Sequence, residues 1–157
     1  MKRWLIAIAL VLGFIVAGPA AATQAAPPVS GEGITLTLRC DVEKGSGFNV
    51  EATLSGKLGE IVLSDGTILK STSPGLKITL TANGKTLNYV ITGVTTYTFL
   101  EDRIEAVSTG LNLLIIPKPA GLFLTTGNVN YALTLKGKEL RTFSGTGTVT
   151  DVCALLA

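Results

Sequence analysis

Residues 34–42, Ile-Thr-Leu-Thr-Leu-Arg-Cys-Asp-Val, put apolar side chains at 34, 36, 38, 40 and 42 and polar ones between. That period of two predicts a strand with one buried and one wet face. After a turn at 43–47, residues 48–54 alternate in the same way. The apolar runs 61–64 and 67–70 flank Asp65-Gly66, a two-residue connection characteristic of hairpins.

Asn83-Gly84 makes a stronger prediction, because turn and pattern can be tested against each other. A two-residue loop pairs 82 with 85, which sets Leu80 on Leu87, Ile78 on Tyr89 and Leu76 on Ile91. Each of these pairs is apolar on apolar. Lys77, Thr79, Thr81, Thr86, Asn88 and Thr92 fall on the other face, with Val90 the apolar exception. Turn chemistry and burial select one register.

Further strands are expected at 94–100, 110–116, 121–126, 128–136 and from Glu139 towards Cys153, with residues 101–107 as a single helical turn or a loop. Gly145 and Gly147 within the last stretch predict a bulge or a close backbone approach. No segment holds a helical period over three turns. Short alternating strands separated by frequent turn signals predict an all-β domain. The expected architecture is an antiparallel two-sheet β-sandwich, immunoglobulin-like or jelly-roll-like, with a small β-barrel as the alternative.

The first residues break this pattern. Met1-Lys2-Arg3 is a basic start, Trp4 opens an apolar run to Gly18, and Pro19-Ala20-Ala21-Ala22 supplies small residues. This three-part order predicts a signal peptide over 1–22, with cleavage as late as 25. The run is short of the roughly 20 apolar residues that cross a bilayer, so no integral span is expected after cleavage. Residues 23–33, rich in Ala and Pro, are expected as a flexible tail, and 34–157 as a single domain. The expected location is secreted, at the cell surface or otherwise extracytoplasmic.

Export changes the reading of composition. Loss of Lys2 and Arg3 takes the 13 basic residues down to the number of the 11 acidic ones. A neutral chain without a basic run offers nothing to nucleic acid. Two cysteines in an exported chain predict one disulfide, Cys40–Cys153, closing nearly the whole domain.

The remaining chemistry is sparse. With no histidine in the chain, neither a Ser-His-Asp nor a Cys-His arrangement can be assembled. A zinc site would lack imidazole, and oxidised cysteines are not ligands. Paired carboxylates leave room for a hydrolase. The cluster Glu101, Asp102 and Glu105 encloses Arg103 and matches no calcium-loop spacing, so it reads as a solvated turn. Sugar binding by aromatic platforms would have to rest on Tyr89, Tyr97 and Tyr131, because the only tryptophan is Trp4. Neither a catalytic residue, a cofactor nor a metal ligand is therefore assigned.

One stretch exceeds what a sandwich strand needs. Leu113-Leu114-Ile115-Ile116 is apolar on both faces, and Leu122-Phe123-Leu124 follows the turn Pro117-Lys118-Pro119-Ala120. A strand of that kind needs two covers. The second is either its own chain, for which the apolar 61–63 and 68–69 hairpin is a candidate, or a partner. The candidate interaction surface is Leu114, Ile116, Pro117, Lys118, Pro119, Leu122 and Phe123. Its occupant would be a protein, an apolar small molecule or a second copy in a homo-oligomer. The expected function is a non-catalytic binding or interaction domain. A self-associating envelope protein is the alternative, and a carbohydrate-binding module or a carboxylate-only hydrolase comes behind it.

Overall fold

The computed structural model describes residues 24–25, 27–41, 47–63 and 68–157, so the expected signal peptide lies outside the described residues. The strands are β1 (Gln24–Ala25), β2 (Val29–Ser30), β3 (Ile34–Cys40), β4 (Phe48–Ser55), β5 (Lys57–Leu63), β6 (Ile68–Thr72), β7 (Leu76–Ala82) and β8 (Lys85–Ile91). They continue as β9 (Val94–Phe99), β10 (Arg103–Thr109), β11 (Asn112–Pro117), β12 (Ala120–Thr126), β13 (Val129–Thr134), β14 (Glu139–Ser144) and β15 (Thr148–Asp151). A short helix, α1 (Val152–Leu156), ends the chain.

These strands form three antiparallel sheets, and none closes into a barrel. Sheet I has the order β3-β4-β7-β8, and sheet III the order β11-β12-β15. Sheet II runs β1-β5-β6-β9-β10-β13-β14, with β2 also on β5. Three strands of sheet I pass directly into sheet II: β4 into β5, β7 back to β6, and β8 into β9. Their order is the same on both sides, so sheets I and II are two arms of one folded ribbon. Such corners need bends where strands change sheet. Gly56 provides one, with φ +97°, and a Cβ there would stand 2.8 Å from the Gly75 carbonyl oxygen. Only glycine lets the two crossing strands approach that closely.

Sheet III lies between the arms. On one side, Leu122, Val152, Cys153 and Leu156 pack on Leu38, Val50, Ala52, Leu54, Leu76, Ile78 and Leu80 of sheet I. On the other, Leu114 and Ile116 pack with Ala106, Tyr131 and Leu133 of sheet II, joined by Tyr97, Phe123 and Phe143. Hence the central side chains of β11 and β12 alternate between two apolar cores, whereas Ile115 and β15 are exposed. Leu113 and Leu124 face the first, and Leu114 and Phe123 the second. Three sheets stand where two were expected, because the middle one is apolar on both faces.

The β7–β8 hairpin has the expected register, Leu80 on Leu87, Ile78 on Tyr89 and Leu76 on Ile91. Asn83 and Gly84 both have positive φ, as that turn requires. Three further expectations differ from the structure. Residues 103–109 are a strand, not a helical turn, and pair with both β9 and β13. Within the stretch expected as a tail, β1 and β2 pair with β5. The last stretch is two strands in different sheets, separated by bends at Gly145 to Gly147, followed by α1. Cys40 and Cys153 form the expected disulfide, with Cα atoms 5.6 Å apart. It ties the end of β3 to α1 and so locks sheet I onto the segment that follows sheet III.

Candidate functional site

The residues singled out from sequence do not stay together. Leu114, Ile116 and Leu122 are 3%, 2% and 0% exposed, inside the two cores, so they offer nothing to a partner. The second cover they needed is the chain itself. It comes from β10, β13 and β14 through Ala106, Tyr131, Leu133 and Phe143, while the side chains of 61–63 in the hairpin named as a candidate lie outside the described residues. Ile115 is the member of that run that reaches solvent, at 48% exposure. Pro117 and Phe123 are half-buried, while Lys118 and Pro119 are exposed at the turn.

That turn borders a groove. Pro119, Ala120, Gly121 and Phe123 line it with Asp41, Glu139, Asp151 and Cys153, around a volume of about 350 Å³. That is the lower end of the roughly 300 to 1,000 Å³ of ligand sites, and the groove is half-open to solvent. Local bonds fix its walls. Asp41 N–H donates to the Ala120 carbonyl at 2.7 Å, and Ala120 N–H donates back to Asp41 Oδ2 at 2.9 Å. This reciprocal pair fastens the end of β3 to the start of β12. Glu139 N–H donates to the Lys118 carbonyl at 3.0 Å, which holds β14 beside the turn. Asp151 caps α1 by accepting from Ala154 N–H at 3.0 Å. A Cβ at Gly121 would stand 2.8 Å from the Phe123 ring, so glycine is what lets that ring seat. Phe123 then meets Phe143 edge-on, with centroids 4.8 Å apart.

The groove thus has an apolar floor and three carboxylates on its walls. Among the described residues its lining contains no basic side chain, although Arg39 Nε reaches Asp41 Oδ1 from outside at 3.4 Å. Asp41 and Asp151 are engaged with backbone amides. No hydrogen bond to the Glu139 carboxylate is found among the described residues, and it is the acid most available to a ligand.

The acidic cluster of β10 has a different role. Glu105 accepts from Arg103 Nε and from Arg141, each at 2.7 Å, while Asp102 binds Arg103 at 3.0 Å. The Arg103 hydrogen bond, aided by Arg141, holds the Glu105 carboxyl below the usual carboxylate range. This network knits β10 to β14. Among the described residues no three of His, Cys, Asp or Glu are placed to hold a metal ion.

A second polar feature lies within the core between sheets II and III. Thr95 and Ser108 hydroxyls meet at 2.8 Å, and Asn112 Nδ2 donates to the Thr109 carbonyl at 2.9 Å. Beside them Thr125 is fully buried, and its Oγ1 finds no partner among the described residues. Tyr131 and Tyr97 touch through their hydroxyls at 3.4 Å. Burial raises both phenols above their ordinary value, Tyr131 the more, and Glu60 adds a smaller upward push on Tyr97.

Fold and groove together define an all-β, disulfide-tied domain with a small acidic cleft beside its cross-link. Comparison of the chain with protein families, characterised proteins and solved structures finds no match. No helix among the described residues is long and apolar enough to cross a membrane.

Proposed function

We propose that this chain is an exported, non-catalytic binding domain on a sandwich-type scaffold, and that it engages its partner through the groove beside the Pro117 turn. The observation that carries the reading is the groove's composition, an apolar floor under Asp41, Glu139 and Asp151. Such a lining favours a cation attached to an apolar stem. Lysine and arginine side chains have that form, so the preferred partner is a protein segment presenting one. Two of the three carboxylates also hold backbone amides, which suits a fixed recognition surface better than proton transfer. The disulfide, compatible with an oxidising compartment, supports export.

An NMR titration of the disulfide-bonded chain tests this with two soluble peptides, one alternating leucine with lysine and one alternating leucine with glutamate. The lysine peptide should move the amides of Asp41, Ala120, Gly121 and Glu139, and salt should weaken the effect. Glu139→Gln should reduce affinity by about two- to fivefold, the range of one exposed ion pair. Shifts scattered over the outer sheet faces, or equal responses to both peptides, would sink the reading.

A further inference from the structure

Sheet I ends in two edges, and they are not alike. β3 is fastened to β12 through Asp41 and carries Arg39. β8 is seven residues long, pairs with β7 without a register shift, and has no proline. Its free side meets no other strand among the described residues. The remaining edges are guarded in ways that proteins commonly use. β14 pairs through register shifts, β15 has four residues, and β1 and β2 have two each. β11 ends at Pro117, and its entry at Leu111 is bonded to Thr92 and Gly93.

The hairpin turn fixes which backbone groups of β8 are free. In an antiparallel ladder, hydrogen-bonded and non-hydrogen-bonded pairs alternate. The pair that closes the two-residue turn, Ala82 with Lys85, is bonded. Leu87, Tyr89 and Ile91 therefore bond to β7, whereas Thr86, Asn88 and Val90 aim their N–H and C=O groups outward. In keeping with that, the Thr86 and Asn88 side chains meet Thr81 and Thr79 across the more closely spaced pairs.

We propose that β8 pairs with β8 of a second copy, antiparallel and about a two-fold axis at Asn88, making one continuous sheet of eight strands. This register sets Asn88 on Asn88 and Thr86 on Val90, so each outward-facing group meets another. On the inner face it sets Leu87, half-buried at the margin of the core, against Tyr89. The lone charge, Lys85, meets Ile91 rather than another lysine, so no like charges face each other. The strand is self-complementary in hydrogen bonds, apolar contact and charge, as an isologous contact requires. Val90, 47% exposed and the one apolar residue on an otherwise polar face, gains a neighbour in Thr86 of the second copy.

The proposal is independent of the groove, none of whose lining residues belongs to β8. The test uses the full disulfide-bonded chain over a range of concentrations, combining sedimentation with residue-resolved hydrogen exchange. One strand pair is a small interface, so association belongs in the micromolar range or weaker, and concentrations should reach about 1 mM. Mass should double with concentration, and the Thr86, Asn88 and Val90 amides should exchange about tenfold more slowly in the dimer. Asn88→Pro removes the central outward N–H while sparing every backbone bond to β7, a position where an edge strand accepts proline; it also gives up the exposed Thr79–Asn88 side-chain bond. It should stay folded, judged by its amide spectrum, and remain monomeric. Val90→Lys, an edge charge in the same strand, should weaken the dimer as well. A monomer at the highest concentration, a dimer that survives Asn88→Pro, or exchange at these amides that ignores concentration would each overturn the proposal.

Discussion

Between sheets I and III, Leu122 packs with Val152, Cys153 and Leu156 against a wall of Val50, Ala52 and Leu80, all aliphatic or sulfur. Between sheets II and III, Leu114 and Ile116 meet Tyr97, Tyr131 and two phenylalanines, and the core ends in Thr95, Ser108, Asn112 and Thr125. The first core is aliphatic at its centre, with Phe48 and Tyr89 at its margin, and is closed by a covalent bond. The second admits hydroxyls and phenols and is closed by hydrogen bonds. One middle sheet serves both, so the contrast lies in what each arm of the folded ribbon presents. The two cores should respond to different insults.

The largest effect is expected from the cross-link. Replacing both cysteines, Cys40→Ala with Cys153→Ala, frees a loop of sequence separation 113. The chain-entropy model gives about 4 to 5 kcal/mol for a loop of this size. Urea denaturation should show a loss of that order, a large share of the roughly 5 to 15 kcal/mol typical of a domain. An unchanged midpoint would mean that the first core holds without its clasp.

Next comes a like-for-like probe of the two cores. Leu122→Ala and Leu114→Ala remove the same atoms from opposite faces of sheet III, and each should cost about 2 to 5 kcal/mol. Leu122 should be the costlier. Its surroundings are tied by the disulfide and cannot collapse onto the cavity, whereas the Phe123 and Phe143 rings beside Leu114 can tilt. Equal losses would remove the contrast in rigidity.

The cores also differ in response to pH. Tyr97 and Tyr131 titrate as a touching pair, and burial raises both in the folded state. A raised phenol leaves stability intact below its unfolded value of about 10 and lowers it as pH climbs above that value. Stability should therefore fall above about pH 10, and less steeply in Tyr131→Phe, as followed by thermal unfolding from pH 8 to 11. If the variant and the parent chain lose stability along the same curve, the second core is not the alkaline weak point.

How far these features are legible in sequence depends on what positions them. The β7–β8 register is local: Asn83-Gly84 and the alternation around it decide it together, and the structure agrees pair by pair. β10 escaped because its inward residues are Ile104, Ala106 and Ser108, two of them small and one polar, which blurs the period of two. The run Leu113 to Ile116 announced two buried faces, yet periodicity says only that covers exist. What covers them is set by strand order, and that is a long-range property. The groove was least legible. Asp41, Glu139 and Asp151 are far apart in the chain and form no motif, and they converge only because β3 and β15 end, and β14 begins, near one turn. Of its lining, Pro119 and Phe123 were singled out as surface and Cys153 as the disulfide partner, none of them as part of a groove.

The finest probe of the contrast is Thr125. Its hydroxyl is fully buried without a partner among the described residues, opposite Asn112 in the ladder, whereas the buried Thr95–Ser108 pair is satisfied. An unsatisfied buried hydroxyl costs about 1 to 3 kcal/mol, and removing it relieves that cost. Thr125→Val keeps the branched shape and should raise stability by about 1 kcal/mol, whereas Ser108→Ala, which leaves Thr95 without its partner, should lower it by a similar amount. Opposite signs from two hydroxyl deletions, one in sheet II and one in sheet III, would show that the polar end is built around one bonded pair. Should Thr125→Val destabilise instead, the hydroxyl has a partner, most simply a buried water, and the polar end of this core is a hydrated network rather than a dry seam.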